Sequence, residues 1–138
     1  VTDQPLSYEL DVPLVVFTGR GRLRAPLSLN DRIGWRARAK HVREIREAVA
    51  WQAKRIGPCG HITAQLHYQP GDRRRRDGDN LIATSKPAVD GLVDAGVIRD
   101  DTSEYATVLM PVIHPGAGQR RLWLTVTVDR IDEEPMRA

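Results

Sequence analysis

Cysteine is almost missing from this chain. Cys59 is the single one in 138 residues, so no disulfide can close within the chain, and a reducing compartment suits it. Long apolar runs are missing too: nothing approaches the roughly 18 residues of a membrane-spanning helix. No stretch has the make-up of a signal peptide, and no repeat or low-complexity segment occurs. These absences give the expectation of a cytoplasmic protein with no membrane partner. The first residue is valine, which fits an alternative start codon read literally or a trimmed chain.

What is present is ordinary in amount and uneven in placement. Hydrophobic residues make up 41% and charged residues 28%, and 138 residues suffice for one domain with a real core but not for two. The net charge of +3 favours a polyanionic partner. Basic residues cluster in residues 20–24, 32–46 and 73–76.

The chain opens on about seven polar residues that are expected to fray, as are residues 131–138. Tyr8, Leu10, Val12, Leu14 and Val16 then alternate as a strand, with Pro13 marking an edge or a bulge. Residues 18–30 carry glycines, Pro26 and three arginines and read as a loop. Ser28 or Asn30-Asp31 is a candidate cap for a helix whose apolar stripe is Trp35, Ala39, Val42, Ile45, Val49, Ala53 and Ile56, ended by Gly57-Pro58. Trp51 falls off that stripe and is expected to be partly buried. Residues 61–68 alternate cleanly as a half-buried strand, with Ile62, Ala64, Leu66 and Tyr68 on one side. His61 and His67 share its other side but stand too far apart to serve as one pair of metal ligands. A second helix is expected over residues 81–95, stopped by Gly96, with Pro87 as a kink or a fresh start. Residues 105–112 and 122–128 read as two strands joined as a hairpin by the turn at His114-Pro115-Gly116-Ala117-Gly118. The expected fold class is α+β in the order β-α-β-α-β-β, one domain with a mixed sheet packed against two helices.

Between the half-buried strand and the second helix lies Asp72-Arg73-Arg74-Arg75-Arg76-Asp77-Gly78-Asp79-Asn80. Guanidinium groups at this density attract phosphate, because each is planar, always charged and forked. Asp77 and Asp79 would repel the same phosphate unless a cation offsets them, and Mg²⁺ prefers carboxylate oxygens that bridge to substrate phosphates. The combination suggests metal-assisted phosphodiester hydrolysis. The same nonapeptide also fits a solvated loop with exposed ion pairs, which contribute little. On a helical wheel from Asp79, Lys86 and Asp90 fall within about 20° of it, opposite the arc of Leu81, Ile82, Ala88, Val89, Leu92 and Val93. Asp100-Asp101 follows that helix. Three carboxylates are a reasonable set for one or two Mg²⁺ ions, and a lysine on the same face could offset charge building on the phosphate.

These residues resemble the RusA family of Holliday-junction resolvases carried by phages and prophages. The resemblance rests on Asp72 through Leu81, then Lys86, then Asp90-Gly91-Leu92-Val93-Asp94-Ala95-Gly96, then Asp100-Asp101. A weaker likeness is Ala25-Pro26-Leu27-Ser28-Leu29-Asn30, similar to a loop after the family's first strand. The resemblance implies a RusA-like fold and a homodimeric endonuclease that resolves four-way DNA junctions by symmetric paired nicks, in recombination and repair. It implies Mg²⁺, with Mn²⁺ as a substitute, and no organic cofactor. The metal-binding carboxylates fall on Asp77, Asp79 and Asp101, with Asp100 beside them, and the catalytic lysine on Lys86. Arg73, Arg74, Arg75, Arg76, Asn80 and Asn30 fall at DNA-contact positions. The setting implied is bacterial or phage-infected host cytosol. Relative to the family pattern, three residues are added between Asp79 and Lys86, which keeps the lysine on the same helix face about one turn further along. The alternative reading is a non-catalytic basic nucleic-acid-binding module whose acids only balance its arginines; a structural protein with a solvated charged loop is a third. Trp123 and the apolar strand ends are candidates for a dimer interface.

Overall fold

The structure is a computed structural model, and it describes residues 6–16, 23–25, 27, 33–71, 78–115 and 119–132. Its centre is β4 (Cys59–Gln69), eleven residues whose even positions Ile62, Ala64, Leu66 and Tyr68 are buried. The equally long β7 (Arg121–Ile131) pairs with it antiparallel and buries Leu122, Leu124 and Val126 on the same side. β1 (Ser7–Asp11) adds to the outer edge of β7, antiparallel, with Leu10 opposite Leu124. On the other edge of β4 lie β5 (Ala106–Val108) and β6 (Val112–Ile113), both parallel to it. The result is a mixed five-stranded sheet in the order β1-β7-β4-β5, with β6 also against β4. A separate pair, β2 (Val15–Val16) and β3 (Leu23–Arg24), lies off this sheet. The α+β class and the mixed sheet with two helices are as the sequence pattern implies.

Three local expectations are corrected. Residues 105–112 and 122–128 do not form a hairpin, because β4 lies between them. Only β4 is long enough to satisfy the backbone of the eleven-residue β7, so the ladder forms there rather than on the three-residue β5. Residues 105–112 are also not one strand. Between the pairs Val108↔Ala64 and His67↔Val112 one extra residue is accommodated, and Pro111, with no N–H to give, lies within that bulge. The first strand likewise breaks after Asp11 at Pro13, and its continuation Val15–Val16 pairs with Leu23–Arg24, which the sequence had placed in a loop.

The helix α1 (Trp35–Ala53) buries Ile45, Val49 and Ala53, four residues apart, and Val42 and Ile56 pack partly against the same core. Its stripe fails at the start: Trp35 is 75% exposed and Ala39 is exposed. Trp51 is also exposed, with Lys54 Nζ 4.6 Å from its ring centre, instead of partly buried. Gly34 stands at the N-cap with extended backbone and no side-chain cap bond, while the candidate caps Ser28, Asn30 and Asp31 lie outside the described residues. Gly57, at φ 78°, turns the chain out of the helix toward Pro58.

The helix α2 (Ile82–Asp94) runs unbroken through Pro87, so Pro87 marks no fresh start. Ile82 lies at the exposed end of the expected arc, 41% exposed, while Leu81, Ala88, Val89 and Leu92 are buried. The helices pack on each other through Gly91, where an added Cβ would sit 2.8 Å from the Arg46 carbonyl oxygen and 2.9 Å from Val49 Cβ. The Arg46 guanidinium closes this contact with two bonds to Asp94, of 2.9 and 2.7 Å. Among the described residues no helix is long and apolar enough to cross a membrane. Gly91→Val should force the helices apart at a cost of about 1–3 kcal/mol, the usual range for overpacking. A lower urea midpoint with an unchanged slope would show it; an unchanged midpoint would mean that the helices separate without cost.

Candidate functional site

The β4–α2–β5 crossover sets the acidic and basic residues on its two connections. After β4 the chain passes Pro70-Gly71, and residues 72–77, which include Arg73, Arg74, Arg75, Arg76 and Asp77, lie outside the described residues, as does Asn30. Description resumes at a 3-10 turn, Gly78–Leu81, that runs directly into α2. Two things seat this turn. Leu81 is buried, and Gly78 lies so close to the Pro111 carbonyl that an added Cβ would collide with it. The bulge at Pro111 therefore supports the turn that carries Asp79, exposed, and Asn80, half-buried. A glycine behind Asp77 and a proline inside a strand-like run were the sequence signals for this seat, and neither pattern by itself indicates that the two meet.

Thr84, fully buried, is a second anchor that pattern reading missed. Its hydroxyl donates to the Leu27 carbonyl at 2.5 Å and accepts from the Leu27 N–H at 3.1 Å. This docks the start of the Ala25–Asn30 likeness against α2, two residues before Lys86. A buried hydroxyl on an otherwise apolar helix arc is the signal that points to such a partner.

Lys86 holds the centre of the site. Its Nζ donates to Asp90 Oδ1 at 2.9 Å, one helical turn on, and to Asp101 Oδ2, fifteen residues away. Asp101 reaches it because α2 is stopped sharply. Gly96, at φ 79°, donates to the Val93 carbonyl, and Val97 donates to that of Leu92. Val97 and Ile98 are buried, and the Val97 carbonyl accepts from the Cys59 N–H at 2.7 Å, pinning the return to the start of β4. Asp100 then fixes its neighbour, since its Oδ1 accepts the Asp101 backbone N–H at 2.7 Å. Thr102 accepts from Tyr105 and Ala106, which begins β5.

The electrostatics follow from this geometry. The hydrogen bond from Lys86 holds the Asp101 carboxyl below the ordinary carboxylate range, with Asp100 and the Lys86 charge adding to it. In return Asp101, and then Asp90, hold the Lys86 ammonium above the ordinary lysine value. One ammonium between two carboxylates leaves a formal charge of minus one, with the exposed Asp100 alongside. All donors here are carboxylate oxygens, the hard ligands that Mg²⁺ takes. Among the described residues no group of three or more His, Cys, Asp or Glu stands ready to hold a metal, and no hydrogen bond or ion pair joins Asp79 to Lys86, Asp90 or Asp101. Of the residues singled out in the sequence, the structure thus unites Lys86, Asp90, Asp100 and Asp101.

The histidines of β4 serve other contacts, on the polar face of the sheet. His61 Nδ1 lies 2.7 Å from Asp129 Oδ2. His67 bonds His114 at 2.9 Å and Thr125 at 3.0 Å, and stacks on Trp123 with ring centres 5.1 Å apart. Burial, then the neighbouring His114, pushes the His67 imidazole below its usual value.

Comparison with known proteins gives a partial similarity. No family model matches the chain. The chain is 40% identical over 74 residues to the crossover junction endodeoxyribonuclease RusA of Escherichia coli, covering 52% of this chain and 56% of that protein. The same figures hold for the RusA of Shigella sonnei. An uncharacterized protein of Xylella fastidiosa is 33% identical over 81 residues, 54% of this chain and 53% of that protein. The chain spans about half the length of the curated relatives it matches. Over about half its length, it is RusA-like.

The Lys86–Asp101 pair has a pH signature. Asp101 is depressed in the folded protein, so its contribution to stability is in place above the ordinary aspartate pKa and is lost as pH falls through the depressed value. A carboxyl-carbon NMR titration should find Asp101 below the ordinary range in the native chain and back near it in Lys86→Met. The same midpoint in both proteins would mean that the pair does not set it.

Proposed function

We propose that the chain is one RusA-like endonuclease domain that resolves four-way DNA junctions by paired symmetric nicks, dependent on Mg²⁺ or Mn²⁺. The observation that carries this reading is the meeting of Lys86 with Asp101 across the β4–α2–β5 crossover. The partial similarity to proteins named as crossover junction endodeoxyribonucleases gives the reaction class. In this reading Asp77, Asp79 and Asp101 hold the ion, which when bound would supply Lewis-acid stabilisation of the phosphate and an activated water.

The chain's own groups have distinct tasks. Asp101 is ionised well below neutral pH, so binding a cation there requires no deprotonation near pH 7. Lys86 remains charged at neutral pH and supplies a positive donor for negative charge that develops at the reacting phosphate. Asp90 and Asp100 are positioning residues, one for the ammonium and one for the Asp101 backbone. In this reading Arg73, Arg74, Arg75, Arg76, Asn80 and Asn30 bind the DNA, with Arg76 and Asn80 near the scissile backbone. A four-way junction has twofold symmetry, and a homodimer with one site per cut strand matches it.

The binding-module reading takes the basic runs as the DNA contact and the acids as charges that only balance them. Substitution separates the two readings. Asp101→Asn and Lys86→Met should each lower the single-turnover cutting rate of a four-way junction by about a hundredfold or more, the scale for losing one electrostatic partner of a transition state. Junction affinity measured in EDTA should stay within a few-fold of the native chain. Native-rate cutting by Asp101→Asn would remove this carboxylate from the reaction.

A further inference from the structure

The N-terminal half of α1 is cationic. Residues 35–43 carry Arg36, Arg38, Lys40 and Arg43 and no acid; the first is Glu44. Cations in the first turns of a helix lie at the positive end of its dipole, where they weaken the helix. Among the described residues the one ion pair that any of these four makes is Lys40 with Glu44, at 4.0 Å. Arg36, Lys40 and Arg43 form one exposed row, four and three residues apart. Trp35 stands at the head of this row, 75% exposed although the Arg36 guanidinium carbon lies 5.2 Å from its ring centre. Beside it opens a groove of about 540 Å³ lined by Ala39 and Val42, by Arg38 and Arg43, and by the acid Glu47, four residues after Arg43. Asp94, the acid that α2 contributes to this groove, is already bound by Arg46.

We infer that this face of α1 is a DNA-strand contact, with Arg36, Lys40 and Arg43 on consecutive phosphates and Trp35 stacked on an exposed base. Taking DNA as the polyanion rests on the function proposed above; the positive charge and the free indole do not. Meeting phosphate costs these exposed cations only the 4.0 Å Lys40–Glu44 pair and the Arg36 contact with the Trp35 ring, and it releases counterions; an exposed indole stacks on any base. A second copy of the same face is a poor occupant, because a twofold contact would set these cations against themselves. The contact lies on α1, outside the Lys86–Asp101 site, so it adds affinity without adding chemistry.

The experiment measures junction and single-strand binding in EDTA across a salt series, where no cutting occurs. Native chain is compared with the triple variant Arg36→Gln, Lys40→Gln, Arg43→Gln, with Trp35→Ala, and with Trp51→Ala plus Lys54→Gln at the far end of the same helix. The triple variant should bind tenfold or more weakly, and its slope of log affinity against log salt should be shallower by about 2–3, near 0.9 for each phosphate no longer neutralised. Trp35→Ala should bind single strands about fivefold or more weakly with the slope unchanged, and the Trp51 variant should bind as the native chain does. Native binding and slope in the triple variant would overturn the inference and leave the resolvase reading standing. An altered sedimentation coefficient with unaltered DNA binding would overturn it in favour of a protein partner. If the native chain itself fails to bind DNA, both readings fall together.

Discussion

The pairing of β4 on both of its edges governs what the rest of the molecule can do. Its even residues bury against the helices, so its register is set: a slip of one residue would turn Ile62, Ala64, Leu66 and Tyr68 to the polar face. With that register fixed, β7 fills one edge for its whole length, and the other edge receives β5 and β6 in parallel. A parallel partner requires a crossover, and α2 with its two connections is that crossover. The turn of Asp79 and the loop of Asp100-Asp101 are those connections. Through the Cys59–Val97 bond and the Gly78–Pro111 contact, both are tied back to β4 and its neighbours.

Charge within this frame is arranged for a partner that the chain alone does not supply. Lys86 is shared by two carboxylates, so the cluster is still net negative, and bare phosphate would be repelled from it. The densest runs of cations lie elsewhere in the sequence, at 73–76 and over the first turns of α1. The neighbouring Lys86 ammonium, against the effect of burial, lowers the Asp101 carboxyl below the ordinary range.

Much of this was legible in the residues, and the parts that were not share a cause. Alternation in residues 61–68 and the spacing of Ile45, Val49 and Ala53 report a local period, and the structure follows it. The wheel placed Lys86 and Asp90 together, and Gly96 announced the turn that returns Asp101 toward them. Choice of partner is a different matter. Leu122, Leu124 and Val126 alternate in the same way whether their neighbour is β5 or β4, so the hairpin expectation failed although the strand was right. Trp35 and Trp51 failed for another reason: spacing put Trp35 on the apolar stripe and Trp51 was expected partly buried off it, yet both are exposed. Nothing local in the sequence pairs Gly78 with Pro111, and their contact exists only in three dimensions. The residues at 72–77, where the likeness to RusA is densest, lie outside the described residues, and the readings of Asp77 and Arg73 through Arg76 stand on sequence alone.

The central claim is structure-selective cutting, and mapping the products tests it most directly. A labelled four-way junction and a linear duplex of the same sequence would be incubated with the native chain, with Mg²⁺ or with EDTA. The account predicts paired nicks at symmetric positions on two strands of the junction, none in the duplex, and none with EDTA. Junction binding with no cut in Mg²⁺ or Mn²⁺, or equal cutting of junction and duplex, would contradict it.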